Sequence, residues 1–148
     1  SVNPLQKAKS APSIKQVQKV DSEDIQKIAK EIQQYDEAYH LVDKSDDIKE
    51  LYEQFRDSIL GLTTDLDVHP KKMYIAFRKG KRNYVYMSIG TKQIRIWLNM
   101  PFNQLDDPKQ LAKDVTNIGH WGNGDCEVIV SDTENLEYIL SLIKQTLK

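Results

Sequence analysis

The 148-residue sequence lacks the features that mark several large classes of protein. It has one cysteine, Cys126, so a disulfide cannot form within the chain, and this indicates a reducing compartment such as the cytoplasm. No apolar run approaches the roughly 18 residues of a membrane span, and no signal peptide begins the chain. P-loop, dinucleotide-binding and zinc-ligand spacings are missing as well. We therefore predict a cytoplasmic protein that does not enter a membrane and needs no cofactor or metal.

Acidic residues are missing from the middle of the chain. Residues 68–98 carry eight Lys or Arg and no Asp or Glu, whereas residues 21–67 carry five bases and fourteen acids. Residues 1–20 carry four lysines and no acid, and residues 99–148 carry four bases and eight acids. The net charge of −1 therefore conceals one strongly basic segment, which can present a positive face.

The basic segment also predicts most of a β-sheet. Apolar residues alternate with polar or aromatic ones along three stretches, which are joined by short glycine-containing hairpins. Such alternation is typical of a sheet with one buried face. The apolar set is Met73, Ile75, Phe77, Val85, Met87, Ile89, Ile94, Ile96 and Leu98. Residues 126–130, CEVIV, are predicted to form a fourth strand.

Helical spacing and cap residues predict the remaining elements. A helix over residues 46–61 follows the cap Ser45, a short helix follows Asp107 and Pro108, and the last helix follows Ser131. The predicted fold class is α+β, with an antiparallel sheet of about four strands and helices packed on one face. The predicted order is α-α-β-β-β-α-β-α.

The chain is expected to have three parts. Residues 1–20 contain scattered lysines and two prolines, which is typical of a flexible linker. Residues 21–40 are expected to form an N-terminal helical arm with a narrow apolar stripe that includes Ile25, Ile28 and Ile32. Residues 41–148 form the α+β domain. Ser rather than Met at position 1 favours a processed chain or a fragment of a longer one.

The second face of the predicted sheet combines cations with aromatic rings. Lys and Arg neutralise phosphates, and exposed aromatic rings stack on unpaired bases. The candidate nucleic-acid-binding residues are Arg78, Lys79, Lys81, Arg82, Tyr84, Tyr86, Arg95 and Trp97. Two structural alternatives stay open. The acidic N-terminal helix could cover this face, or the face could be a solvated one in which Tyr, Trp and Arg serve only β propensity.

The densest local motif is GHWGNGD, which comprises Gly119, His120, Trp121, Gly122, Asn123, Gly124 and Asp125. Its glycines permit positive φ, and its backbone N–H groups are able to cradle an anion. His120, oriented by Asp125, has the chemistry of an acid or base near neutral pH. A tight structural turn between two elements is the simpler interpretation, and we favour it.

Asp125 and Glu127 are two carboxylates whose spacing places them on one face of a strand, as in some nuclease metal sites. Nuclease metal sites also need a further acid and usually a lysine nearby, and the strand that follows supplies neither. The pattern therefore disfavours a metal-dependent hydrolase. No catalytic signature is present elsewhere, which favours a non-enzymatic role for this chain alone.

Five stretches resemble an uncharacterised bacterial C-terminal domain family: LYEQFRDSIL, KKMYIAFRKGKRN, DDP, GHWGNGD and LSLIKQ. They lie between residues 45 and 148, and GHWGNGD is the most specific. The resemblance implies a domain placed behind a restriction-endonuclease-like module, with a linker such as residues 1–20 between them. Some members carry the label "predicted transport protein", to which a sequence without a membrane segment gives no support. The resemblance supplies no catalytic residues.

These observations predict a non-catalytic accessory domain of a larger bacterial protein, which binds nucleic acid or another polyanion through the basic-aromatic sheet face. A nuclease-like module in the same parent chain is an expected partner. The alternative is a protein-interaction or oligomerisation domain, such as a homodimer formed through the N-terminal arm. A third alternative is a small hydrolase centred on His120.

Overall fold

The computed structural model describes residues 35–119 and 124–148. Within these ranges the α-helices are α1 (Glu37–Leu41), α2 (Asp46–Leu60) and α3 (Leu136–Thr146), and residues Phe102–Gln104 form a short 3-10 helix. The strands are β1 (Asp67–Pro70), β2 (Ile75–Lys79), β3 (Arg82–Ile89), β4 (Ile94–Leu98), β5 (Lys113–Asp114) and β6 (Cys126–Val130). The predicted linker at residues 1–20 and the Ile25, Ile28 and Ile32 stripe lie outside the described residues.

The strands form one sheet in the order β1-β2-β3-β4-β6-β5, and every neighbouring pair is antiparallel. A mixed α and β fold with an antiparallel sheet is therefore confirmed. The described part of the sheet has six strands rather than about four, and the predicted order of elements is wrong in two places. Strand β1 forms in a stretch predicted as loop, and β5 forms in a stretch predicted as helix.

Helix α2 follows directly from its sequence. The Ser45 hydroxyl accepts a hydrogen bond from the Ile48 N–H at 3.2 Å, and Asp46 and Asp47 suit the positive end of the helix dipole. At the other end the Gly61 N–H donates to the Asp57 carbonyl at 3.0 Å. The apolar stripe is buried, comprising Ile48, Leu51, Tyr52, Phe55 and Ile59. The predicted helix and its buried side are confirmed.

One face of the sheet, which we call the helix-covered face, forms the main core with α2 and α3. Its central residues are buried with Phe55 and Ile59 of α2 and with Ile139 and Ile143 of α3. Those sheet residues are Ile75, Phe77, Val85, Met87, Ile94, Ile96, Leu98, Cys126 and Val128. The predicted apolar face is thus confirmed, except that Met73 precedes β2 and is exposed.

The helix predicted after Asp107 and Pro108 does not form. The Asp107 carboxylate instead accepts hydrogen bonds from the N–H groups of Leu111 at 3.2 Å and Ala112 at 2.8 Å. Gln110 has φ of 53°, which is incompatible with a right-handed helix. The Tyr138 hydroxyl donates to the Asp107 carboxylate and accepts from the Lys109 N–H at 3.0 Å. Side-chain bonds to the backbone have replaced helical ones.

The β2–β3 hairpin turns at Gly80, whose φ is +63°. A β-bulge follows, because Phe77 pairs with Val85 whereas Arg78 pairs with Asn83. Tyr84 is the extra residue, and its ring packs against the main core. The prediction that Tyr84 belongs to the second face is therefore wrong, since the bulge interrupts the alternation that supported it.

Gly124 is required for a reason other than the one its motif suggests. It does not have positive φ, since the described glycine with that conformation is Gly80. A Cβ at position 124 would instead lie 2.6 Å from the Leu98 carbonyl oxygen. The chain just before β6 therefore passes too close to the β4 backbone for residue 124 to carry a side chain.

Candidate nucleic-acid interface

Four cationic residues, Arg78, Lys79, Lys81 and Arg82, surround Gly80 at the tip of the β2–β3 hairpin, and we call them the basic hairpin. Lys79, Lys81 and Arg82 are exposed, and Arg78 is half-buried. The Arg78 Nε donates to the Gly80 carbonyl at 3.0 Å. The Arg82 guanidinium lies 5.0 Å from the centroid of the Tyr84 ring and donates to the Asn99 carbonyl at 3.4 Å. The arginines are thus held in place while the lysines project into solvent.

The charge of the basic hairpin is not neutralised within the described part of the chain. The ion pairs found there join Arg56 to Glu37 and to Asp57, and Arg95 to Glu127. Asp67 is the cross-strand neighbour of Arg78, yet no carboxylate of the described residues lies within 4.0 Å of a hairpin cation. Exposed cations without an acidic partner are able to attract a polyanion.

The predicted aromatic platform on the second face is buried. Tyr86 is 1% exposed and Trp97 is 2% exposed, and both pack with Ala76 and Val115. The Tyr74 ring meets the Tyr86 ring edge-on, with 5.2 Å between their centroids. The expectation that the rings of Tyr86 and Trp97 are free to stack on bases is therefore wrong. Because Val115 and the other residues of this cluster are buried, this part of the second face is not a solvated one. Most of the acidic N-terminal segment, the other alternative, lies outside the described residues.

A buried carboxylate completes the second face. Glu127 accepts a hydrogen bond from the Trp97 Nε1 at 3.0 Å and forms an ion pair with the Arg95 guanidinium at 3.5 Å. Lys113 of β5 is its cross-strand neighbour on the other side. Arg95, predicted as a phosphate ligand, therefore already has an anionic partner. Alternation along CEVIV places Glu127 on the second face of the sheet. That placement was the signal in the sequence for its contact with this cluster.

Asp125 and Glu127, the carboxylate pair considered in the sequence, have different surroundings in the described structure. Glu127 is used by Trp97 and Arg95, whereas Asp125 precedes β6 and lines a separate cleft. Residues 35–119 and 124–148 contain no group of three His, Cys, Asp or Glu side chains able to hold a metal ion. The motif residues that lie outside the described ranges are His120, Trp121, Gly122 and Asn123. The hydrolase hypothesis centred on His120 therefore falls on residues that the structure does not describe.

The described ends of the GHWGNGD motif lie at the same end of the sheet as the basic hairpin. The Asp125 carbonyl accepts from the Val115 N–H at 2.9 Å, and Gly124 lies against the Leu98 backbone. Leu98 is the last residue of β4 and pairs with Val85 of β3, close to the hairpin. The antiparallel topology thus brings two segments, separated by about forty residues in sequence, to one end of the sheet.

A cleft of about 370 Å³, which we call the end cleft, joins these segments. Arg82 of the basic hairpin and Asp125 of the motif both line it, together with the end of α3. The described residues that line it are Arg82, Asn99, Met100, Pro101, Gln104, Asp125, Gln145, Thr146 and Lys148. Sequence reasoning missed this cleft because its residues come from four separate segments with no shared motif.

Cys126 is not placed as a nucleophile. Its thiol is buried on the helix-covered face and donates to the Met100 carbonyl at 3.4 Å. Burial is the main cause that raises the pKa of Cys126 to about 12, with smaller contributions from nearby carboxylates led by Asp125. The thiol therefore stays protonated at neutral pH, and the reactive thiolate is scarce.

Across the described ranges, every helix is too short or too polar to cross a membrane.

Comparison with known proteins gives two matches. A family model described as Domain of unknown function (DUF5655) matches residues 37–146. A curated protein of Haemophilus influenzae, named "Uncharacterized protein", is 50% identical over 148 residues, which cover 100% of this chain and 48% of that protein. The chain thus spans about half the length of this relative. No solved structure gives a significant match.

Proposed function

Since the chain belongs to the DUF5655 family of domains, we propose that it is a non-catalytic accessory domain that binds nucleic acid or another polyanion. The observation that carries the proposal is the basic hairpin. Four cations lie within five residues of sequence, and no described carboxylate forms an ion pair with any of them. A phosphate backbone offers the regularly spaced negative charge that such a cluster binds.

The geometry favours contacts to phosphate over stacking on bases. Lys79 and Lys81 project from both sides of Gly80, and Arg82 is oriented by the Tyr84 ring and the Asn99 carbonyl. Tyr86 and Trp97 are buried, so we assign them to the support of the sheet and not to ligand contact. The proposed interface is therefore the hairpin end of the sheet instead of its whole second face.

The accessory role is supported by the length of the relative. The Haemophilus influenzae protein is about twice as long as this chain, so the matched region is one part of a larger protein. The proposal extends to the parent of this chain, in which a restriction-endonuclease-like module is the expected neighbour on the resemblance noted in the sequence. In that arrangement the domain would add affinity for nucleic acid to an activity located elsewhere.

The test is a binding titration with single-stranded and duplex nucleic acid over a range of salt concentrations. Changing Lys79 and Lys81 to Gln together should lower the salt slope of binding by about two, roughly one for each phosphate that a lysine no longer neutralises. The matched control changes Lys71 and Lys72 to Gln, which removes the same charge from the opposite end of the sheet. The control should leave the slope unchanged.

Two results would count against the proposal. If neither single-stranded nor duplex nucleic acid binds at about 50 mM salt, the proposal of polyanion binding is wrong. Equal losses of affinity in the hairpin variant and in the Lys71 and Lys72 variant would show that net charge, and not the basic hairpin, causes the binding.

A further inference from the structure

We infer that the end cleft holds one nucleotide unit whose base carries an exocyclic amino group, an inference that rests on the proposed binding of nucleic acid. Arg82 belongs both to the basic hairpin and to the lining of the cleft. A strand that follows the hairpin cations is therefore led to the cleft. The cleft volume, about 370 Å³, lies within the range of small-ligand sites in proteins.

The cleft has cations suited to a phosphate. Arg82 is held by the Tyr84 ring at 5.0 Å and by the Asn99 carbonyl at 3.4 Å, which limits the positions of its guanidinium. Lys148, whose side chain carries an ammonium group, also lines the cleft. A guanidinium and an ammonium that line one space are the groups that bind a phosphate in proteins.

The cleft also has a carboxylate that these cations do not neutralise. Asp125 lines the same space as Arg82 and Lys148, yet the described ion pairs, which extend to 4.0 Å, do not include it. Opposite charges that face one space without contact leave room for a ligand that bridges them. A carboxylate accepts hydrogen bonds from the amino group of a base, as in the reading of cytosine N4.

Three other polar side chains of the lining are fixed by hydrogen bonds to the backbone. Gln145 exchanges two hydrogen bonds of 2.8 Å with the Asp106 backbone, and the Asn99 amide donates to the Asn83 carbonyl at 2.7 Å. The Thr146 hydroxyl donates to the Ile143 carbonyl at 2.7 Å. Since these groups are committed to the protein, Arg82, Lys148, Asp125 and Gln104 are left to contact a ligand. A site with walls fixed in this way loses little freedom on binding.

This division of charge predicts a preference among bases. Cytosine, adenine and guanine carry an exocyclic amino group that Asp125 can accept from, whereas uracil and thymine present a carbonyl oxygen there. A carbonyl facing an ionised carboxylate leaves both acceptors without a donor, which is costly in a cleft.

The experiment is calorimetric binding of cytidine and uridine monophosphates to the full chain, with cytidine as the ligand without phosphate. Cytidine monophosphate should bind about tenfold more tightly than uridine monophosphate. Asp125→Asn should abolish that preference without lowering the melting temperature, and Arg82→Gln should weaken both nucleotides but not cytidine. The control is Glu134→Gln, an acid beyond the other end of β6, which should change nothing.

The outcomes separate this inference from the proposed function. If strands bind through the basic hairpin but wild type and Asp125→Asn show equal affinity for the two nucleotides, the inference about the cleft is wrong and the hairpin function stands. If strands do not bind at low salt while the cytidine preference and its loss in Asp125→Asn are seen, the proposed function fails and the cleft stands as a nucleotide site.

Discussion

The two faces of the sheet are built from the same strands but bury different chemistry. The buried residues of the helix-covered face are apolar, and they pack with α2 and α3 in one continuous core. The second face has a smaller buried cluster around Tyr86 and Trp97, with the carboxylate of Glu127 inside it. Beyond this cluster Ile129 is 45% exposed and Arg95 is 47% exposed along its side chain.

The difference shows that alternation and burial are separate properties of a sheet. Alternation places residues on faces, and it does so correctly from Ile75 to Leu98 apart from the bulge at Tyr84. Burial depends on what covers each face. On the second face part of that cover is Val115, which sequence patterning assigned to a helix.

The largest contrast between the faces should come from one substitution made on each. Ile96→Asp places a carboxylate in the fully buried core and should leave the domain unfolded at room temperature. Ile129→Asp makes the same change on the exposed part of the second face, beside the cation Arg95, and should alter the free energy of unfolding by less than about 1 kcal/mol. Circular dichroism during urea titration measures both. A folded Ile96→Asp protein would mean that the faces are assigned in reverse.

A second substitution tests how closely the chain before β6 approaches the backbone of β4. Gly124→Val should destabilise the domain by about 3 kcal/mol, because the added Cβ would meet the Leu98 carbonyl oxygen at 2.6 Å. Gly124→Ala should cost nearly as much, since the clash involves the Cβ itself. Gly119→Ala is the control, because the described structure leaves open space there. A stable Gly124→Ala variant in thermal melting would contradict the close approach.

The smallest expected effects come from two substitutions on the second face, which compare the two partners of Glu127. Trp97→Phe removes the indole donor to Glu127 and should cost about 1–3 kcal/mol, since a buried carboxylate loses a hydrogen bond. Arg95→Gln removes an ion pair whose cation is largely exposed, and it should cost less than about 1 kcal/mol. Urea titration ranks the two. The reverse order would show that Arg95, and not Trp97, stabilises Glu127 in the face.

Sequence patterning predicted the elements whose local and long-range preferences agree. Helix α2 has a capping serine, a wide apolar stripe and a terminal glycine, and all three serve the same structure. The stretch after Asp107 shows the opposite case. Leu111, Val115 and Ile118 have helical spacing, yet Leu111 joins the main core, Val115 joins the second cluster and Ile118 is exposed. Their spacing matched a helix only by coincidence, and the Asp107 carboxylate determined the local structure instead.

The candidate site was predictable in its charge but not in its shape. The four cations around Gly80 lie within five residues, so the cluster is visible in the sequence itself. Strand β1 was missed because DVHP has no apolar alternation and ends in proline, which an edge strand tolerates. The end cleft was missed because it depends on how Gln104, Asp125 and Lys148 meet in space.

The outer strands of the sheet bear on how copies of this domain can meet. Within the described residues, one edge is β1, four residues long and ending in Pro70, which has no N–H to donate. The other edge is β5, which has two residues. Short or proline-ended borders are poor templates for the addition of a foreign strand, and natural proteins use them to avoid aggregation. Two copies at high concentration are therefore expected to associate through side chains, if at all, and not by extending the sheet from one molecule into the next.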